Sequence, residues 1–244
     1  MPDPVGLRGR LAASTPVLLV QAAHPRQAVV TAVAMALAAA ALDRPPREVG
    51  TVALTVLVGQ LLLGWHNDLV DAERDARHEA RGKPVADGRL ERGQVWYAMA
   101  LAVLLLVPLA VSTGLRAAAC YGAALLVGFA AHLVLRRGRF SWLPWALQFA
   151  CYPAYLTYGG WGGQAVGDPP AWWFTGLAAL LGIGAHVLRA LWGLVPDDLD
   201  GWTYLPLALG RRLGTSRLLG VTVAYLAVVL GAVLILGSSV GPRL

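Results

Sequence analysis

The sequence predicts an all-α protein, a polytopic bundle of about seven transmembrane helices, and three observations carry that prediction. Hydrophobic residues make up 57% of the 244-residue chain and charged residues only 14%, with a mean hydropathy of +0.58. A soluble domain is about a quarter charged and just under half apolar. Several near-continuous apolar runs approach the roughly 20 residues that a helix needs to cross a bilayer. These runs are rich in Leu, Ala and Val and show no period of two, which excludes the alternating strands of a membrane barrel.

In chain order the spans are read near 27–42, 50–66, 94–112, 115–135, 141–159, 172–195 and 216–237. The stretch before the first, LRGRLAASTPVLLVQAAHP, is shorter and is broken by Pro16 and Gln21. It shares its outline with a secretory signal but reads better as an interfacial helix lying on the membrane. Residues 1–26 thus form a cytoplasmic or interfacial segment of a single membrane domain, 1–244. The third span reads QVWYAMALAVLLLVPLAVS and the seventh SRLLGVTVAYLAVVLGAVLILG. Trp65, Trp96, Trp142, Trp172 and Trp173 stand at span ends, as in an interfacial belt.

Orientation follows from the basic residues. With the N-terminus inside, sixteen of the 20 Lys and Arg fall in inner segments, and four (Arg44, Arg47, Arg116, Arg243) in outer ones. By the positive-inside rule the loop at 67–93 faces the cytoplasm. The net charge of +6 is then a topology signal and calls for no nucleic acid. Cys120 and Cys151 both fall in spans as packing residues, and two cysteines make no disulfide framework. There is no Gly-rich phosphate loop, no CxxC, no His pair at metal-ligand spacing and no evident repeat.

The informative segment is NDLVDAERDARHEARGKPVADGRL, Asn67 to Leu90, which holds six of the chain's 14 acids. On a helix continuing out of the second span, Asp68, Asp71 and Asp75 fall within about 60° of one another. Gln60, Gly64 and Asn67 extend that face into the membrane. Carboxylates so placed repel unless something positive lies between them. Mg²⁺ does this, taking one or two carboxylates and completing its shell with phosphate oxygens. The alternative is a solvated loop whose acids pair with Arg74, Arg77 and Arg81. A second cluster, Asp197, Asp198 and Asp200, stands in LWGLVPDDLDGWTYLPLALG at the cytoplasmic end of the sixth span, in a loop spanning 197–215. Two acidic clusters on one membrane face describe a site for a metal-bound polyanion, such as a diphosphate leaving group neutralised by paired Mg²⁺.

NDLVDAERD resembles the NDxxDxxxD signature of the UbiA superfamily of intramembrane prenyltransferases. GKPVADGRL is similar to the basic-Pro…Gly segment that follows it there, and DDLDGWTYLPLALGRRLG resembles the second family motif. The resemblance covers roughly residues 20–237, with the motifs after the second and sixth spans. It implies a shortened UbiA-type fold around a central cavity open to the cytoplasmic side and laterally to lipid. It also implies Mg²⁺ as cofactor, an isoprenyl diphosphate donor that ionises, and a small-molecule acceptor of unknown identity that captures the carbocation.

Carried over residue by residue, the resemblance assigns Asn67, Asp68, Asp71 and Asp75 to the first motif and Asp197 to the second. Asp198 is a further expected metal ligand, and Asp71, Asp75 and Asp197 are the expected catalytic set. Arg81 and Lys83 fall in the loop that covers the diphosphate. Gly193 stands where the later motif usually has an aspartate, and the family generally has nine spans.

Helical spacing adds His186 and Arg189, on one face with Gly193 and Asp197. A charge within a span is a functional candidate by default, so both are expected to bind substrate. His24 and Arg26 are further candidates, and Arg136, Arg137 and Arg139 read as a topology anchor. Trp145, Tyr152, Tyr155 and Trp192 are expected to flank a carbocation through their ring faces. The expected activity is Mg²⁺-dependent prenyl transfer by an integral protein of a bacterial plasma membrane, with its site toward the cytoplasm. A terpene cyclase using the same metal site, or a non-catalytic isoprenoid binder, stands as the alternative.

Overall fold

The computed structural model describes residues 14–160 and 167–240. Among them every regular element is a helix and no strand occurs. In chain order these are α1 (Thr15–Ala22), α2 (Pro25–Ala41), α3 (Pro46–Arg77), α4 (Arg92–Ser112), α5 (Leu115–Leu133), α6 (Trp142–Thr157), α7 (Trp172–Ala190), α8 (Leu194–Leu199), α9 (Leu205–Leu213) and α10 (Thr215–Val240). α1, α2, α3 and α9 each carry a proline in the first turn. There the missing N–H costs nothing and the fixed φ suits a helix start.

Seven of these helices coincide with the predicted spans: α2 to α7, and α10. Five of them, α3, α4, α5, α7 and α10, are long and apolar enough to cross a membrane. α2 is apolar but has 17 residues, and α6 has 16. Leu104, Leu126, Val228 and Leu234 on these helices are exposed, an apolar exterior suited to lipid. The stretch read as interfacial contributes α1, and its part before Ser14 lies outside the described residues.

The chain divides into two compact units between Ala110 and Val111. In the first, α1 and α2 pack on α3. A Cβ at Gly64 of α3 would lie 2.8 Å from the Ala23 Cα. Only glycine therefore lets the α1–α2 turn sit this close, and the Trp65 indole N–H clamps it by donating to the Leu19 carbonyl at 2.8 Å. In the second unit α6 packs against α5 and α7, while α9 and α10 pack on α7. Val187, Leu194, Tyr204, Leu207 and Leu218 form a buried cluster there that ties α7 through α10 together.

Candidate active site

α3 runs past its apolar part to Arg77, so the acids of the first motif ride on one continuous helix. Asp68 and Asp75 are buried, Asn67 and Asp71 half-buried, and Glu73 is exposed. This one-sided burial is what their spacing on a helix gives.

Beyond α3 the chain folds back on itself. The Ala80 N–H donates to the Asp75 carbonyl at 2.9 Å and the Leu90 N–H to the Pro84 carbonyl at 2.9 Å. Pro84, Val85 and Leu90 are buried and pin the loop. Gly82, with φ of +77°, makes the left-handed step before Lys83, one that other residues adopt only at a cost. On the exposed rim the Arg89 guanidinium donates to Asp87 at 2.6 and 2.9 Å. Partial burial pushes the Asp87 carboxyl up, but the hydrogen bonds from the Arg89 side chain and backbone outweigh it and hold it below the ordinary range.

The turn carries Lys83 back along α3. Its Nζ lies 3.2 Å from Asp68 Oδ1 and 2.9 Å from Asp75 Oδ2, with His24 Nε2 at 3.5 Å. Seven residues separate the two aspartates, about 10 Å of helix rise, so their side chains lean together to share one cation. The like-charge problem posed by the sequence is thus met by an ammonium. Arg81, two residues earlier, is exposed.

In the second motif α7 ends at Ala190, a turn occupies 191–193, and α8 restarts at Leu194. The helix expected to continue through this motif is interrupted at that turn. Gly193 still accepts from the Asp197 N–H at 2.9 Å. A Cβ at Gly193 would lie 3.2 Å from Asp197 Oδ2. Asp197 is buried, and the Tyr204 hydroxyl donates to its Oδ2. Asp198 is half-exposed and pairs with the Arg211 guanidinium, which donates to it through Nε at 2.9 Å. Arg189 is exposed, whereas His186 is buried with Nε2 2.9 Å from Ser141 Oγ.

An aromatic column extends from this motif through the second unit. Its ring centroids are spaced 5.5 Å (Trp202 to Tyr204), 6.0 Å (Tyr204 to His186), 5.5 Å (His186 to Trp145), 6.5 Å (Trp145 to Phe149) and 5.3 Å (Phe149 to Tyr152). Of the expected aromatic set, Trp145 and Tyr152 belong to it. Tyr155 pairs with Tyr121 at 4.9 Å, and Trp192 is exposed. Arg136 and Arg137 stack on Trp202 at 5.1 and 5.6 Å, and the Arg137 carbonyl accepts from the Thr203 N–H at 2.9 Å. These arginines are therefore attached to the second motif as well as lying in the basic loop. Tyr204, Trp202 and Ser141 escaped the sequence reading: Trp202 and Tyr204 lie within the second motif, but their contacts depend on the turn between α8 and α9, and no spacing links Ser141 to His186.

The family model of the UbiA prenyltransferase family matches residues 28–242, which include both motifs. No curated protein and no solved structure matches the chain.

Proposed function

The chain belongs to the UbiA prenyltransferase family, and on that premise we propose that it transfers a prenyl group from a Mg²⁺-bound isoprenyl diphosphate to an acceptor within the membrane. The family membership and the five helices of spanning length make it an integral membrane protein, the setting a long apolar donor requires.

The observation that carries the reading is the convergence of Asp68 and Asp75 on one cationic centre, 3.2 and 2.9 Å away. Two carboxylates fit Mg²⁺, which commonly takes one or two from the protein and the rest from phosphate and water. Among the described residues no group of three or more His, Cys, Asp or Glu side chains is placed to hold a metal ion by itself, so phosphate oxygens and water would complete the shell. When bound, Mg²⁺ supplies neutralisation of the charge that builds on the departing diphosphate.

The chain's own residues account for the rest. Asp68 and Asp75 hold the charged head, with Asp71 and Asn67 on the same helix. Arg81 and Lys83 add positive charge beside the phosphate oxygens. In the second unit Asp197 is the carboxylate of the later motif, oriented by Tyr204, while Asp198 is engaged by Arg211. His186 and Arg189 stay assigned to substrate binding. The ring faces between Tyr204 and Tyr152 stabilise a developing cation. In the reaction the allylic C–O bond breaks and its electron pair leaves with diphosphate. The acceptor then bonds to the freed carbon and gives up a proton.

The test is to incubate the purified protein in detergent with Mg²⁺ and a panel of isoprenyl diphosphates, then measure diphosphate release. Release that requires Mg²⁺ and an added acceptor supports transfer. Release with a cyclic hydrocarbon formed in the absence of acceptor indicates the cyclase. Binding without release from any donor indicates the non-catalytic binder.

A further inference from the structure

We propose that Lys83 is the resident counter-cation of the first motif: it sets the separation of Asp68 and Asp75 and competes with a divalent cation for their oxygens. The proposal rests on the reading of those two aspartates as metal ligands and adds a positioning residue to it.

Lys83 is the chain's only lysine; every other one of its 20 basic residues is arginine. The two side chains differ physically. An ammonium is a compact point charge with three donors, whereas a guanidinium is a planar fork. Three acceptor-bearing side chains surround Lys83 Nζ, namely Asp68 at 3.2 Å, Asp75 at 2.9 Å and His24 at 3.5 Å. A centre of that shape suits the single ammonium and suits none of the arginines. The three neighbours come from one helix, α3, and the turn between α1 and α2, so the lysine also joins these elements.

Competition follows from size and charge. Mg²⁺ holds carboxylate oxygens at about 2.0–2.1 Å, well inside the present Nζ–oxygen distances. A divalent ion drawing in both carboxylates leaves no place for a second cation between them. The exchange breaks no covalent bond. It changes the local charge from −1, with two carboxylates and one ammonium, to zero. The loop is pinned by Pro84, Val85 and Leu90, so the flexible four-carbon stem of Lys83 withdraws while the backbone stays in place.

The experiment titrates the purified full-length protein with Mn²⁺ alone and reads the free ion by electron paramagnetic resonance. Lys83→Met is expected to bind Mn²⁺ on the order of tenfold more tightly than the parent, because a competing charge is gone. Lys83→Arg keeps the charge and is expected to bind no more tightly than the parent. Equal or weaker binding by Lys83→Met overturns the proposal while leaving the metal site intact. Absence of Mn²⁺ binding by both proteins, with and without inorganic diphosphate, overturns the metal-site reading itself. Should the variant fail to fold, the parent protein answers alone. As the only side-chain amine, Lys83 can be followed by acetylation and mass spectrometry. Mn²⁺ is expected to speed its acetylation severalfold, and an unchanged or slower rate overturns the exchange.

Discussion

The hydroxyl of Tyr204 donates to Oδ2 of Asp197 within a buried cluster of Val187, Leu194, Leu207 and Leu218. Tyr204→Phe keeps the ring and its stacking on His186 and Trp202 and deletes only the donor. A buried acceptor deprived of one partner costs roughly 1–3 kcal/mol, so the melting temperature in detergent should fall. Diphosphate release should fall further than stability alone explains, because Asp197 loses its orientation. A variant with unchanged melting and turnover would show that the contact is idle.

On α3, Asp71→Asn and Asp75→Asn should each reduce turnover by at least the order of a hundredfold while leaving a folded, membrane-inserted protein; even outer-shell groups at metal sites cost 10–100-fold. Glu73 lies on the exposed side of the same helix. Glu73→Gln should be nearly neutral, since an exposed ion pair contributes about 0–1 kcal/mol. Equal losses at all three positions in a turnover assay would mean that net charge matters and that the metal-ligand assignment is mistaken.

Gly193 directs its missing side chain at Asp197, with a Cβ position 3.2 Å from Oδ2. Its φ of −105° and its place at the start of α8 both admit aspartate, a favoured residue there. Gly193→Asp should act with opposite signs in two measurements. Without metal, two adjacent carboxylates should lower the melting temperature. With Mn²⁺, added ligand charge should tighten binding by on the order of tenfold. Lower affinity for the ion would place that face outside any metal site.

Gly64→Ala tests the first unit's packing. A methyl group there meets backbone atoms of Ala23, one of them at 2.8 Å, and backbone cannot rotate away. Overpacking of this kind costs typically about 1–3 kcal/mol. Displacing the Ala23–His24 turn should also shift His24 away from Lys83. Thermal unfolding reads the first effect; wild-type stability in the alanine variant would show that α1 and α2 sit less tightly on α3 than their contacts imply.

The parts of this molecule governed by local pattern were legible in its sequence. Apolar runs gave seven helices at the expected places, and the spacing of Asp68, Asp71 and Asp75 gave one helix face with Glu73 turned away. What depended on chain reversal was hidden. Nothing in the spacing of residues 75 to 83 reveals that the loop folds back to set Lys83 between two aspartates; that outcome depends on Gly82 and on the burial of Pro84, Val85 and Leu90. Likewise the break at 191–193 lies within an apolar run that reads as continuous helix, and the approach of Tyr204 to Asp197 depends on the turn after α8, where the Trp202 N–H donates to the Asp197 carbonyl. The basic loop at Arg136 and Arg137 was visible as charge alone, because its stacking on Trp202 joins residues more than sixty positions apart.

α3 has 32 residues in one unbroken helix, about 48 Å at 1.5 Å per residue, against a hydrocarbon core of about 30 Å. Asp68 and Asp75 therefore stand on a mast whose foot is fixed in lipid. The apolar part of α3, read near 50–66, is only about 26 Å long. A hydrophobic stretch and its bilayer adjust to each other, so membrane thickness sets how far these carboxylates stand above the hydrocarbon. A spin label at Glu73 should sink toward the acyl chains as the lipids of a reconstituted bilayer lengthen; a depth that stays constant would show that the neighbouring helices hold the mast upright. Such a protein would set the height of its acidic face through the fatty acids of the host membrane, with no ligand or modification involved.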